Sequence, residues 1–88
     1  MEQPVRKEYN NGAIEWRLNG ELHRVDGPAY IYGDYRAWYI NNKLHRTDGP
    51  AVIEGDYQAW WLNDTRYDTP EEMPMSIYLA WIKWNTDK

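Results

Sequence analysis

Trp16-Arg-Leu-Asn-Gly-Glu-Leu-His-Arg-Val-Asp-Gly-Pro-Ala29 returns one unit later as Trp38-Tyr-Ile-Asn-Asn-Lys-Leu-His-Arg-Thr-Asp-Gly-Pro-Ala51, a repeat of 22 residues counted from 16 to 38. A third start, Trp60-Trp-Leu-Asn-Asp64, breaks off before the His-Arg-x-Asp-Gly-Pro segment. Within each copy the residues alternate with period two: Ile14, Trp16 and Leu18 share one face, and Ala13, Glu15 and Arg17 share the other. Alternation of this kind marks a half-buried strand. Asn19-Gly20 then marks a tight hairpin, because a type I′ turn needs positive φ at both central residues. Asn41-Asn42 and Asn63-Asp64 stand at the same place in the later copies.

Pro28–Tyr32 and Pro50–Glu54 read as return strands, and Gly33-Asp34 and Gly55-Asp56 as the bends into the next unit. Connections this short cannot make parallel crossovers, so the units form an antiparallel meander. The expected fold is mostly β (α+β): a β-hairpin meander of about five or six strands over 13–68, with a C-terminal α-helix over 69–85 packed on it, in a single domain spanning 1–88. Residues 1–11 lack periodicity and are expected as a loose or edge segment, closed by an Asn10-Asn-Gly12 turn.

The helix signal is Thr69-Pro-Glu-Glu72, with capping-box spacing and Pro at the first helical position. Pro74 interrupts it, which leaves 70–73 as a short turn and the main helix from about Pro74 to Trp84. On that helix Ser76, Ala80 and Lys83 form a narrow polar or small strip, and Met75, Ile77, Tyr78, Leu79, Trp81, Ile82 and Trp84 take the rest. So wide an apolar surface exceeds what one sheet face buries. The excess is covered by the N-terminal segment or forms an interface.

With 88 residues, no Cys, no Phe, six Trp and eight Tyr, a small core must be built from large aromatic rings. The net charge of −4 and pI near 5.0 speak against nucleic acid and against anionic membranes as partners. No stretch has the apolar length of a membrane span, and no signal core opens the chain, so a cytoplasmic location is expected.

His-Arg-x-Asp-Gly-Pro at 23–28 and 45–50 looks most like chemistry, and its repetition reads better as a built turn. His23, Asp26 and Gly27, and likewise His45, Asp48 and Gly49, are expected to shape the turn, with Asp accepting backbone hydrogens and Gly supplying a permissive φ. Each Arg can pair with the nearby Asp. A metal site is disfavoured, because ligands one repeat apart lie about 10 Å from each other and no Cys or third His is present. The string is superficially that of a kinase catalytic loop, but the other parts of such an enzyme are absent. Ser76, the one serine, has no base at a readable spacing. No catalytic residue, metal or cofactor is assigned.

The second face changes along the chain. It runs from Glu15 and Arg17, through Ala37 and Tyr39, to Ala59 and Trp61. The early part should be wet and the late part covered. Aromatic residues beyond obvious core need (Tyr30, Tyr32, Tyr35, Tyr39, Tyr57 and Trp61) suggest a recognition surface, since Trp, Tyr and Arg are enriched at interface hot spots. Tyr39, Trp61, Tyr78, Trp81 and Trp84 are the candidate partner-binding residues. An alternative is a pocket for a small nucleotide, with Arg24, Arg36 or Arg46 on its phosphate and Tyr35 or Tyr57 against its base.

Tyr35-Arg-Ala-Trp-Tyr-Ile-Asn-Asn-Lys-Leu-His-Arg-Thr-Asp-Gly-Pro-Ala51 resembles the MORN repeat, with its aromatic-Trp strand, Asn-Gly-Lys turn and return strand. The Leu-His-Arg-x-Asp-Gly-Pro-Ala form is similar to repeats in small phage and bacterial proteins, some of them antitoxin-like. The resemblance covers about residues 13–64. It departs at Asn42, where Gly is usual, and in having fewer copies. It implies a hairpin meander and a binding role, chiefly for proteins and sometimes for lipids, with no catalytic residues to carry over. The expected function is a small protein-binding inhibitor of phage counter-defence or antitoxin type, with a homodimer as a further possibility.

Overall fold

A computed structural model describes residues 2–86, leaving aside the side chains of Pro70, Trp81 and residues 84–86. The described chain is mostly antiparallel β with one C-terminal helix. Its strands are β1 (Val5–Glu8), β2 (Ile14–Leu18), β3 (Glu21–Leu22), β4 (Tyr30–Tyr32), β5 (Tyr35–Ala37), β6 (Tyr39–Ile40), β7 (Lys43–Leu44), β8 (Val52–Glu54), β9 (Tyr57–Leu62) and β10 (Thr65–Tyr67). Ten short strands stand where about five or six longer ones are expected, because the tight turns add the stubs β3, β7 and β10, and β5 and β6 part at Trp38. The N-terminal segment forms the tenth: β1 pairs along β2 as an edge strand, Val5 opposite Arg17 through Glu8 opposite Ile14.

The main sheet runs β1-β2-β4-β5-β8-β9-β10, with β3 paired to β2 and β6-β7 a separate hairpin. Register puts Tyr30, Ala37, Val52 and Ala59 in one cross-strand row. That row is the centre of the core: Ala37, Val52 and Ala59 are buried, and Tyr30, Tyr35, Tyr39, Leu44 and Trp61 pack against them. Small side chains in the middle with large rings around them let a thin sheet bury a core without Phe.

All three hairpin tips have positive φ at both central residues: Asn19 and Gly20, Asn41 and Asn42, Asn63 and Asp64. The turns therefore match the type I′ expectation. The later two also dock on the preceding unit. Asn42 N–H donates to Leu22 O at 2.8 Å and Asn42 Oδ1 accepts from Leu22 N–H at 3.3 Å. One unit on, Asp64 N–H donates to Leu44 O at 2.9 Å and Asp64 Oδ1 accepts from Leu44 N–H at 2.7 Å. A glycine at either place has no side-chain oxygen to satisfy that amide. The side chains of Asn42 and Asp64 thus add a hydrogen bond between one repeat and the next.

After β10 a 3₁₀ turn (Pro70–Glu72) leads to α1 (Met75–Thr86). Glu72 does not close a capping box on Thr69; its carboxylate accepts from Asp68 N–H at 3.1 Å. Pro74 starts the helix ladder instead, its carbonyl accepting from Tyr78 N–H at 3.0 Å. Ile77, Tyr78 and Ala80 are half-buried, while Met75, Leu79 and Ile82 lie exposed on one arc with Ser76 and Lys83. The outer face is therefore mixed, with an apolar stripe at helical spacing, rather than the polar strip alone. No helix among the described residues is long and apolar enough to cross a membrane.

Candidate functional site

The His-Arg-x-Asp-Gly-Pro segments are clasps on the face of the sheet that carries Trp16 and Trp38. The Arg24 guanidinium stacks 4.1 Å from the centre of the Trp16 ring, and Arg46 stacks 3.9 Å from that of Trp38. Arg24 Nε donates to Asp26 at 3.0 Å and its Nη1 to Pro28 O at 3.2 Å. Arg46 repeats this on Asp48 at 2.9 Å and Pro50 O at 3.0 Å. The expected Arg–Asp pairing is present. The two aspartates serve the arginines rather than accepting backbone hydrogens as Asx turns would.

Gly27 and Gly49 do not have positive φ, so their role is not conformational freedom. A Cβ at either would sit 2.8 Å from the guanidinium carbon of Arg24 or Arg46. The glycine leaves room for the cation between turn and indole. Burial pushes the Arg46 pKa down, against the pull of Asp48.

The histidines reach forward into the next unit. Asn41 N–H donates to His23 Nδ1 at 3.0 Å, and Asn63 N–H to His45 Nδ1 at 3.1 Å. Beside them, Arg24 N–H donates to Tyr39 O and Arg46 N–H to Trp61 O. Each clasp closes its own turn and holds the next hairpin. In the third copy Tyr67 and Asp68 stand where His and Arg would be.

Between the two clasps lies a groove of about 590 Å³, lined among others by Arg24, Asp26, Trp38, His45, Arg46 and Asp48. It brings together Arg24 and Arg46 from the candidate ligand-binding set. Arg36 is not among its lining residues. Tyr35 and Tyr57 lie on the other face of the sheet, so the five do not converge on one cavity.

That other face carries the tyrosines. Direct cross-strand partners form the row Tyr32–Tyr35–Glu54–Tyr57, next to the buried alanine row. Tyr35 meets Tyr30 edge to face at 5.9 Å. Tyr32 and Tyr57 are 48% and 53% exposed, which makes them the freest rings on this face. Burial, then the Glu54 charge, pushes the Tyr35 hydroxyl pKa up. Of the candidate partner-binding residues, Tyr39 and Trp61 are half-buried against the core and Tyr78 is half-buried on α1. The side chains of Trp81 and Trp84 lie outside the described residues.

Tyr32 stands out in the sequence as a surplus aromatic without being a candidate site residue. The signal that could have ranked it is its position beside the Gly33-Asp34 bend, where no longer strand covers it.

At the early end the same face is polar, as its sequence predicts. Glu15 accepts from Arg17 Nε and from the Tyr9 hydroxyl, both at 2.8 Å. The Arg17 hydrogen bond, first among several causes, holds the Glu15 pKa below its ordinary value. A depressed carboxylate pKa stabilises the fold above the unfolded-state value, and that stabilisation is lost as pH falls through the folded-state value. Glu15→Gln is therefore expected to lower stability at neutral pH, with the difference from wild type closing on acidification. Urea titrations of both proteins at a series of pH values check this.

No protein family, curated protein or solved structure matches the chain.

Proposed function

We propose that this protein is a small non-enzymatic inhibitor, of phage counter-defence or antitoxin type, that acts in the cytoplasm by covering the surface of a partner protein. The observation that supports this reading is the tyrosine face, where the exposed Tyr32 and Tyr57 flank Tyr35 and Glu54 on a sheet whose other aromatics are half-buried. Tyrosine offers a large rigid contact area and a hydroxyl at low entropic cost, which suits an interface centre. The MORN-like resemblance, with its implied protein-binding role, points the same way. The clasp residues, by contrast, are engaged in holding turns.

Affinity capture from host lysate with the purified chain tests the reading. A stoichiometric partner is expected, and Tyr32→Ser/Tyr57→Ser is expected to lose it while keeping its thermal midpoint, since both rings are exposed. Capture of no partner, together with a monomer by light scattering, overturns the reading; a homodimer through the tyrosine face would make the second copy the partner.

A second reading, sequestration of a small anionic nucleotide, is favoured by the groove that holds two guanidinium groups beside Trp38 and His45. Asp26 and Asp48 already neutralise both cations, which places it second. A heat of binding to mono-, di- or cyclic nucleotides, abolished by Arg24→Met, would reverse the ranking.

A further inference from the structure

The clasps show which chemistry this fold satisfies internally: a guanidinium lies on an aromatic face and is tied to a carboxylate at 3.0 or 2.9 Å. The tyrosine row has two of those three parts. Glu54 sits in register between Tyr35 and Tyr57. Asp34 and Asp56 stand in the two bends at the same end of the sheet, and the Asp34 carboxylate lies 3.6 Å from where a Gly55 Cβ would be. Among the described residues, Asp26, Asp48, Asp68, Glu8 and Glu15 have cationic partners, whereas Asp34, Glu54 and Asp56 form no ion pair. Arg36, the cation nearest by register, pairs with Ile31 and Ile53 and so falls on the opposite face.

Two exposed rings, Tyr32 and Tyr57, with the half-buried Tyr35 and the unpaired Glu54 between them and Asp34 and Asp56 in the adjoining bends, on a chain of net charge −4, complement a cation and repel an acidic surface. From this complementarity we infer that the Tyr32–Tyr35–Glu54–Tyr57 row docks a basic, arginine-bearing segment of the partner protein; the inference rests on the protein-binding reading above. The row spans three strand spacings, about 14 Å, and an extended segment presents same-side residues every ~7 Å, so two alternate arginines fit along it. Arginine is favoured over lysine because its planar fork can lie on a ring while donating to Glu54.

The test uses the full chain and fluorescein-labelled octa-arginine, octa-lysine and octa-glutamate peptides, read by anisotropy. Saturable binding is expected for octa-arginine, weaker binding for octa-lysine and none for octa-glutamate. Glu54→Gln is expected to weaken octa-arginine roughly tenfold, whereas Glu71→Gln, which removes the same charge far along the sequence, leaves it unchanged. No saturable binding, or equal weakening by the two variants, overturns the inference. Partner capture lost in Tyr32→Ser/Tyr57→Ser but unaffected by Glu54→Gln overturns the basic segment and leaves the protein-binding reading standing. Octa-arginine bound at Glu54 with no partner captured from lysate overturns that reading instead, and supports the chemistry of the row.

Discussion

Gly49→Ala is expected to destabilise the protein by about 2–3 kcal/mol, more than an exposed turn glycine should. The added Cβ would lie 2.8 Å from Arg46 Cζ and 3.0 Å from Nη1, contacts that force the side chain to move. Arg46 cannot move cheaply. Its side chain is only 10% exposed, it covers Trp38, and it donates to the carbonyl of fully buried Pro50. Leaving forfeits a partly desolvated cation–π contact of about 1–2 kcal/mol and a charged hydrogen bond of similar size. The unfolded-state entropy gained by Gly→Ala, about 0.4–1 kcal/mol, offsets a part. Urea unfolding in a double-mutant cycle gives the decisive comparison. In an Arg46→Ala background, Gly49→Ala should cost almost nothing, because the atom it collides with is gone. Gly27→Ala should follow the same pattern with a smaller loss, since Arg24 is 22% exposed.

Asp64→Ala is expected to cost about 2–4 kcal/mol, from a lost charge-assisted hydrogen bond to Leu44 N–H and from a side chain without local hydrogen bonding held at positive φ. Asp64→Asn should be close to neutral, because the amide oxygen can accept from Leu44 as Asn42 does from Leu22. Asp64→Gly should fall between the two: it relieves the backbone and loses the bond. Chemical denaturation of the three variants separates these contributions. A ranking in which Gly is the most stable would mean that the turn conformation, and not the link between units, governs this position.

These two effects show how much of the molecule was legible in its sequence. The meander was, because period-two alternation, Asn-rich tips and the 22-residue spacing agree on one register. The charged-to-aromatic drift of the second face was also legible, from Glu15 and Arg17 to Ala59 and Trp61. The role of Gly27 and Gly49 was not. A glycine beside an aspartate suggests turn dihedrals, whereas its use here is space for a guanidinium brought from three residues away and pressed onto a Trp. The forward reach of His23 and His45 was hidden for a related reason. Hydrogen bonds between units depend on how hairpins stack, which one copy of a motif does not specify.

At the candidate site, sequence supplied the residue types and the structure supplied the grouping. Tyr39 and Trp61 pack half-buried against the core, and Tyr32 and Tyr57 stand exposed at the bend end of the sheet. The helix shows the same limit. Its apolar excess was visible in composition, and only the fold places Met75, Leu79 and Ile82 outside.

On the proposed function, the His-Arg-x-Asp-Gly-Pro clasps hold the architecture while the tyrosine face meets the partner. Partner capture by Gly49→Ala and by Tyr32→Ser/Tyr57→Ser, measured side by side at a temperature where both are folded, tests it most directly. Full capture by the destabilised glycine variant and none by the stable tyrosine variant is expected. The reverse pattern, with capture lost at the clasp and retained on the altered tyrosine face, would contradict it.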